Sequence, residues 1–241
     1  MSSDGRQLTA SYRYAVADRS GADEDRALAR VPAWCTCLVR RCADVVGASI
    51  LLALSAPAWP IIALIIKLDS PGPVLVSQLR GGYREKPFRL HKFRSMRDTP
   101  VPQDQDSTGT RKERSMSRTT RFGRILRCTS LDELPQLLNV LWGHMSLIGP
   151  RPLVFDDLAD PLDIARAEGG VEPDTLTLWR SVRCQVRPGL TGLWQINGRS
   201  DLPLEGLLRY DAEYVQRCSL RLDLAILLRT IPVVLRGIGA F

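Results

Sequence analysis

The sequence is short of the residues on which most enzyme motifs are built. Histidine occurs only twice in 241 residues, at His91 and His144. Six cysteines are present, but no two are spaced as a CxxC pair. A structural zinc site is therefore not expected, and the cysteines give no disulfide framework. Free thiols, in a chain lacking a cleavable signal peptide, fit a reducing compartment. Neither a P-loop nor a GxGxxG is found, which removes two common glycine-rich phosphate cradles. GxSxG is missing, and no cysteine at a helix start has a histidine companion, so serine and cysteine nucleophiles lack support. Long uncharged runs are scarce too, for there is only one.

That run extends from Val45 to Ile66, 22 residues without a charge. At ~1.5 Å per residue a straight helix of this length covers roughly 33 Å, against a bilayer core of ~30 Å. Arg40 and Arg41 precede it and Lys67 follows it, so flanking charge does not choose a crossing direction. Pro57 and Pro60 fall past its middle. Each lacks an N–H and crowds the carbonyl four residues back, Ala53 and Ala56 respectively. A kinked transmembrane helix, a re-entrant hairpin and a buried core helix all answer to this pattern. Length and lack of charge favour membrane insertion, and the residues do not separate spanning from re-entry.

Around this run the chain divides simply. Residues 1–30 are polar and mixed in charge and read as a flexible tail. Residues 31–241 form one domain, with 31–68 as its membrane segment. The runs 73–79 and 87–93 alternate partly and flank Gly81-Gly82, which predicts a β-hairpin. Residues 98–120 are rich in turn formers and read as a mobile loop. Residues 155–174 carry seven acids and one arginine, a solvated stretch with no assigned function. Helices are expected over 202–217 and along the C-terminal run. There an apolar face accompanied by Arg221, Arg229 and Arg236 suits either a membrane interface or core packing.

Charge is concentrated. Net charge is +7, yet residues 80–127 alone hold fourteen Lys/Arg against five acids, a local +9. Such a stripe fits nucleic acid, anionic lipid or a phosphorylated substrate, or simply a solvated face. Arg118, Arg121, Arg124 and Arg127 recur every third residue and lead into Ser130-Leu131-Asp132-Glu133. Ser-x-x-Glu is a capping box, which is the plain structural reading. Pro135 makes it awkward, because with Ser130 as N-cap the proline ring would clash with the Leu131 carbonyl. A helix starting near 132–135 leaves Asp132 and Glu133 at its open mouth, where phosphate is attracted. Two carboxylates repel phosphate unless a cation intervenes, and Mg²⁺ is suited to that set. One of the pair can attack phosphorus while the other holds metal. Arg151, between Pro150 and Pro152, is a rigid fork for phosphate or carboxylate. Residues 187–199 gather arginines, glycines and amides that can cradle a nucleotide or sugar, or make an ordinary loop.

From about Val31 to Phe241 the chain resembles the bacterial sugar transferases, the monotopic phosphoglycosyl transferases. The resemblance rests on KLDSPGPVLVSQLR, FRLHKFRSM, RILRCTSLDELPQLLNVLWGHMSLIGPRP, VRPGLTGLWQINGR and LDLAILLRTIPVVLRGIGA, in that order. It implies a predominantly helical α+β domain with a re-entrant helix broken near proline and surface helices half sunk in one leaflet. Relatives often carry Ser-Pro at the break, whereas here Ser55 stands one position earlier, before Ala56-Pro57. The implied reaction transfers a sugar-1-phosphate from a UDP-sugar to undecaprenyl phosphate with Mg²⁺ and releases UMP. Asp132 is the implied nucleophile, with Glu133 helping hold the metal. Arg127, Arg151, Lys92, Arg187, Thr191, Gln195 and Arg199 are the implied substrate and phosphate ligands. The implied setting is the bacterial inner membrane with the site facing the cytoplasm. Its partners are membrane lipid and the two substrates, with no nucleic acid, and a homodimer is allowed without being required. A membrane-anchored lipid-binding module and a multispan transferase without a covalent step are the competing classes. The single hydrophobic run opposes the second, and the acid pair beside Pro-Arg-Pro opposes the first.

Overall fold

The computed structural model describes residues 31–97, 117–153, 173–198 and 204–236. The expected tail over 1–30, all but 117–120 of the expected loop over 98–120, all but 173–174 of the acidic stretch 155–174, and Arg199 lie outside the described residues.

The chain opens with a short helix α1 (Ala33–Thr36), followed by α2 (Leu38–Ser55) and α3 (Ala58–Asp69). The uncharged run is thus two helices bent by 62°. Among the described residues no single helix is long and apolar enough to cross a membrane, though the bent pair together meets that length and composition. The break falls at Ala56-Pro57 alone. Pro60 was expected to add a second interruption and does not. It sits in the first turn of α3, where its missing N–H would have had no intrahelical partner anyway. The Ser55 hydroxyl donates to the Leu52 carbonyl at 3.2 Å and accepts from the Trp59 indole at 3.3 Å, so it still serves the bend.

A second correction concerns the start of α2. Arg40 and Arg41 were expected to precede the membrane run as flanking charges. They lie within the helix, and Arg40 is buried. Its Nη2 donates to Ser146 Oγ at 3.1 Å, the Ile148 carbonyl at 2.6 Å and the Tyr214 hydroxyl at 2.7 Å. Its Nη1 reaches the Cys35 carbonyl at 2.9 Å, and its Nε pairs with Asp223 at 3.3 Å. One turn on, Asp44 accepts from Ser146 Oγ and the Leu147 amide, each at 2.9 Å. A charge this deep is tolerable only when fully paired. Beyond this foot α2 and α3 turn outward: Val46, Ile50, Leu54, Ile61, Leu64 and Leu68 are all more than half exposed.

The expected hairpin forms from β1 (Leu75–Gly81) and β2 (Pro87–Phe93), antiparallel with Leu75 opposite Phe93 and Gly81 opposite Pro87. Then come α4 (Arg121–Cys128), α5 (Gln136–Leu141), β3 (Ser146–Ile148), α6 (Pro173–Arg183), β4 (Gly189–Thr191), α7 (Leu193–Ile196), α8 (Leu204–Arg217) and α9 (Leu220–Arg236). β3 and β4 pair in parallel, a second sheet that the sequence reading missed. Three residues per strand leave no alternation to read.

Ala48 of α2 packs on Leu137 and Val140 of α5, while Ile62 and Ile66 of α3 pack on Leu126 of α4 and Phe93 of β2. Tyr214 and Val215 of α8 join Ile226 of α9 and Ile148 of β3. Burying each such side chain contributes roughly 1.5–3 kcal/mol. α9 answers both earlier readings. Ile226 is in the core, while Leu220, Leu224, Leu228 and Ile231 form an exposed stripe.

The cysteines require a third correction. Cys35 and Cys218 are joined by a disulfide, with Cα atoms 5.9 Å apart and 183 residues between them. Four cysteines are free, so thiol content carries no argument about compartment.

Candidate active site

Asp132 and Glu133 stand on a 3₁₀ turn, Leu131–Glu133, between α4 and α5. Ser130 makes no side-chain cap and adopts a left-handed conformation (φ 56°), so the capping-box reading fails. The acids were expected in the mouth of a helix, but they precede it. Pro135 is the N-cap of α5, and the helix proper begins at Gln136. A proline there loses no hydrogen bond, and the regular helix that follows it is six residues long.

Long-range contacts aim the neighbouring elements at this turn. Asp69, the last residue of α3, accepts from the Phe122 amide at 3.1 Å and so holds the start of α4. α4 carries Arg127. Asn139 of α5 is fully buried; its amide donates to the Arg89 carbonyl at 2.7 Å and accepts from the His91 amide at 3.0 Å. That pins β2, and with it Lys92, beside the acids. The Pro150-Arg151-Pro152 turn lies against β4 because three glycines meet there. A Cβ on Gly189 would fall 2.0 Å from the Gly149 nitrogen, and one on Gly192 would fall 2.1 Å from the Gly149 oxygen.

The result is a cleft of about 410 Å³. Asp132, Glu133, Lys92, Arg127, Arg151, Thr191 and Gln195 all line it. Asp132 is buried and pushed up to about 7, first by burial and then by Glu133, with Lys92, Arg127 and Arg151 pulling the other way. Burial likewise lowers Lys92 to about 8, with Asp132 opposing. Arg151 Nη2 meets Glu133 Oε1 at 3.0 Å, and its guanidinium lies over the Trp194 ring, 5.6 Å from the centroid. Arg127 Nη1 donates to Thr119 Oγ1 at 3.1 Å, and the Thr191 hydroxyl meets that of Thr230 at 2.8 Å.

The rest of the arginine series disperses. Arg121 and Arg124 are exposed, and Arg118 donates to the Arg97 carbonyl at 3.3 Å. Arg187 does not line the cleft. Its Nε is held by the Gly143 carbonyl at 2.9 Å, and its guanidinium lies over Tyr83. Arg199 lies outside the described residues.

Several cleft residues escaped sequence reasoning. Arg80, Trp194 and Thr230 line it from β1, α7 and α9. Arg183 supports it from behind, donating to the Arg151 carbonyl and pairing with Asp211 at 3.3 Å, both side chains buried. Nothing local marks Arg183. Only the fold brings α6 and α8 to the Pro-Arg-Pro turn.

The donor set fits Mg²⁺. Glu133 raises the cost of charge on the neighbouring Asp132, which a cation would relieve. No group of three or more potential ligands occurs among the described residues. Mg²⁺ commonly takes one or two carboxylates and completes its shell with phosphate oxygens and water.

Comparison with known proteins gives one consistent result. The family model described as "Bacterial sugar transferase" matches residues 35–237. The UDP-glucose:undecaprenyl-phosphate glucose-1-phosphate transferase of Caulobacter vibrioides is 44% identical over 211 residues, covering 85% of this chain and 72% of that protein. The exopolysaccharide production protein ExoY of Rhizobium meliloti is 37% identical over 215 residues, covering 85% of this chain and 88% of its own length. The UDP-glucose:undecaprenyl-phosphate glucose-1-phosphate transferase of Escherichia coli K12 is 38% identical over 199 residues, covering 80% of this chain and 39% of that protein.

Proposed function

Because the chain belongs to the bacterial sugar transferase family, we propose that it moves a sugar-1-phosphate from a UDP-sugar to undecaprenyl phosphate. The step would initiate assembly of an exopolysaccharide or related glycoconjugate. The observation that carries this reading is a buried carboxylate, Asp132, in a cleft it shares with Lys92, Arg127 and Arg151.

In this reading an Asp132 oxygen attacks the sugar-bearing phosphorus. The bond from that phosphorus to the UMP oxygen breaks, and UMP leaves. An oxygen of undecaprenyl phosphate then attacks the aspartyl-bound phosphorus, and Asp132 departs as carboxylate. One diphosphate is consumed and one is made, so the exchange is nearly balanced. Catalysis is then mainly positioning and charge stabilisation. Burial makes Asp132 a stronger base once it is ionised, which favours attack. Arg151, oriented by Glu133 and Trp194, would face phosphate oxygens as a fork. Mg²⁺, held by Glu133 and Asp132, would supply neutralisation of diphosphate charge.

The exposed apolar side chains of α2, α3 and α9 support a re-entrant seat in the bacterial inner membrane. Leu51 of α2 and Leu227 and Val234 of α9 also line the cleft, giving a lipid chain an apolar approach. We place the site on the cytoplasmic side, where a UDP-sugar is met. Single cysteines at the exposed positions Thr36 and Pro71, in a protein whose four free cysteines are replaced, test the seat when probed with an impermeant thiol reagent. Labelling from opposite sides would exclude re-entry.

The reaction is tested with membranes, Mg²⁺ and a panel of radiolabelled UDP-sugars, scored by UMP release and by label on protein. Label on the wild-type protein and none on Asp132→Asn is expected, with turnover lost in the variant. Retained turnover in Asp132→Asn would sink the covalent mechanism.

A further inference from the structure

Gln195 is a buried amide of the cleft, 3% exposed, with neither Oε1 nor Nε2 of its side chain partnered among the described residues. The adjacent Trp194 Nε1 is buried and unpartnered as well. Gln136 and Thr191 are the other fully polar neutral side chains buried along this cleft, and Thr191 already bonds Thr230. A buried amide without partners is costly, so such a group points to something it binds.

The chemistry of the pair narrows what that is. An amide offers donor and acceptor together, and an indole adds a donor. Neither carries charge, and Lys92, Arg127 and Arg151 line the same cleft as charged partners for phosphate, whereas the amide acceptor would find no donor there. A ring hydroxyl, which both donates and accepts, matches them. Position narrows it further. Trp194 touches Arg151, Arg151 touches Glu133, and Glu133 adjoins Asp132. The α7 turn is therefore two side-chain contacts from Glu133, whose chain neighbour Asp132 meets the reacting phosphorus, and the sugar is attached to that phosphorus. The uracil ring lies a further phosphate and a ribose away. The Trp194 face turned to Arg151 is also taken by the guanidinium.

From the unpartnered Gln195 amide beside Trp194, we infer that Gln195 hydrogen-bonds a hydroxyl of the transferred sugar and so helps select which sugar is accepted. This rests on the UDP-sugar reading above. A site built to pair a hydroxyl rejects the analogue lacking it far more strongly than an apolar pocket rejects a methylene.

The test is a cycle between residue and hydroxyl. Wild-type protein and Gln195→Leu are assayed in membranes by UMP release. The substrates are UDP-glucose, UDP-galactose and UDP-sugars with single ring hydroxyls removed. For the preferred sugar, Gln195→Leu should lower kcat/KM about tenfold or more. For one deoxy analogue the two proteins should be equal, because the partner is already gone. Thermal unfolding of Gln195→Leu should match wild type or rise, since an apolar isostere replaces an unsatisfied amide. An unchanged kcat/KM, or a lower melting temperature with the same sugar preferences, would overturn the inference. So would an equal loss across all sugars with weaker UMP inhibition, which would assign Gln195 to the base. Wild-type protein that turns over no UDP-sugar at all would overturn the underlying reading and this inference with it.

Discussion

Two clusters of buried charge in this molecule are built in opposite ways. Around Arg40 all three guanidinium nitrogens are engaged, and Asp223 also accepts from Trp34 and Tyr214. Around Asp132 the charges crowd without closing. Asp132 and Lys92 each oppose the other's shift, yet burial is the largest influence on both and pushes each towards neutrality. The first cluster fastens the foot of α2 to β3, α8 and α9. The second sets Asp132 and Lys92 at the wall of an open cleft, beside the Glu133–Arg151 pair. Complete pairing gives structure, whereas incomplete pairing that the fold holds in place is what a ligand can complete.

The contrast can be broken experimentally, and the largest effect is expected in the cleft. Arg151→Ala should lower kcat/KM by about 10²–10³, as removal of an oriented transition-state donor does. Arg151→Lys should not restore it, because an ammonium cannot fork two bonds. The melting temperature should barely move, and a cooperative loss of fold in Arg151→Ala would erase the distinction between the clusters. Arg40→Ala should do the reverse. It strands Asp223 in the interior and should cost about 3–5 kcal/mol of stability. Chemical or thermal unfolding in detergent would show it, and a shift below 1 kcal/mol would mean the network is dispensable.

Asp211 sharpens the comparison because it belongs to the paired kind yet serves the cleft through Arg183. Burial pushes its carboxyl up to about 6, with Arg183 opposing. Raised above its ordinary value of 3.8, the group favours the folded state at low pH. That contribution is full below about pH 4 and lost as pH rises through about 6. The stability of Asp211→Asn relative to wild type should therefore increase from pH 4 to 6, by about 2–3 kcal/mol. Melting temperatures in a pH series would measure it, and a flat difference would contradict the assignment. The smallest change is expected from Asn139→Ala. It leaves the Arg89 carbonyl and His91 amide without the bonds they have now and should cost about 1–3 kcal/mol. A loss of activity with no loss of stability would instead place Asn139 in the chemistry.

The sequence told most where the signal was local. Pro57 marked the bend, Gly81-Gly82 marked the hairpin, and Pro135 argued correctly against a Ser130 cap. The acid pair and Arg151 stood out for the same reason, since prolines within a few residues restrict their backbone. What escaped depends on contacts across the chain. Asp69 with Phe122, Asn139 with β2, Arg183 with Arg151, and Cys35 with Cys218 are each pairings of residues ordinary in their own surroundings. Arg40 shows the limit most clearly. As a letter beside an apolar run it reads as a flanking charge, and only Tyr214 and Asp223, more than 170 positions away, reveal it as interior.

Asn139 has one more consequence. A two-stranded hairpin is marginal by itself and exposes two open edges. Arg89 and His91 present a carbonyl and an amide on the edge of β2 away from β1, and the Asn139 side chain occupies both. A single amide thus stands where a third strand would lie. Where copies of the same chain are crowded together, that blocks an edge open to strand exchange and aggregation.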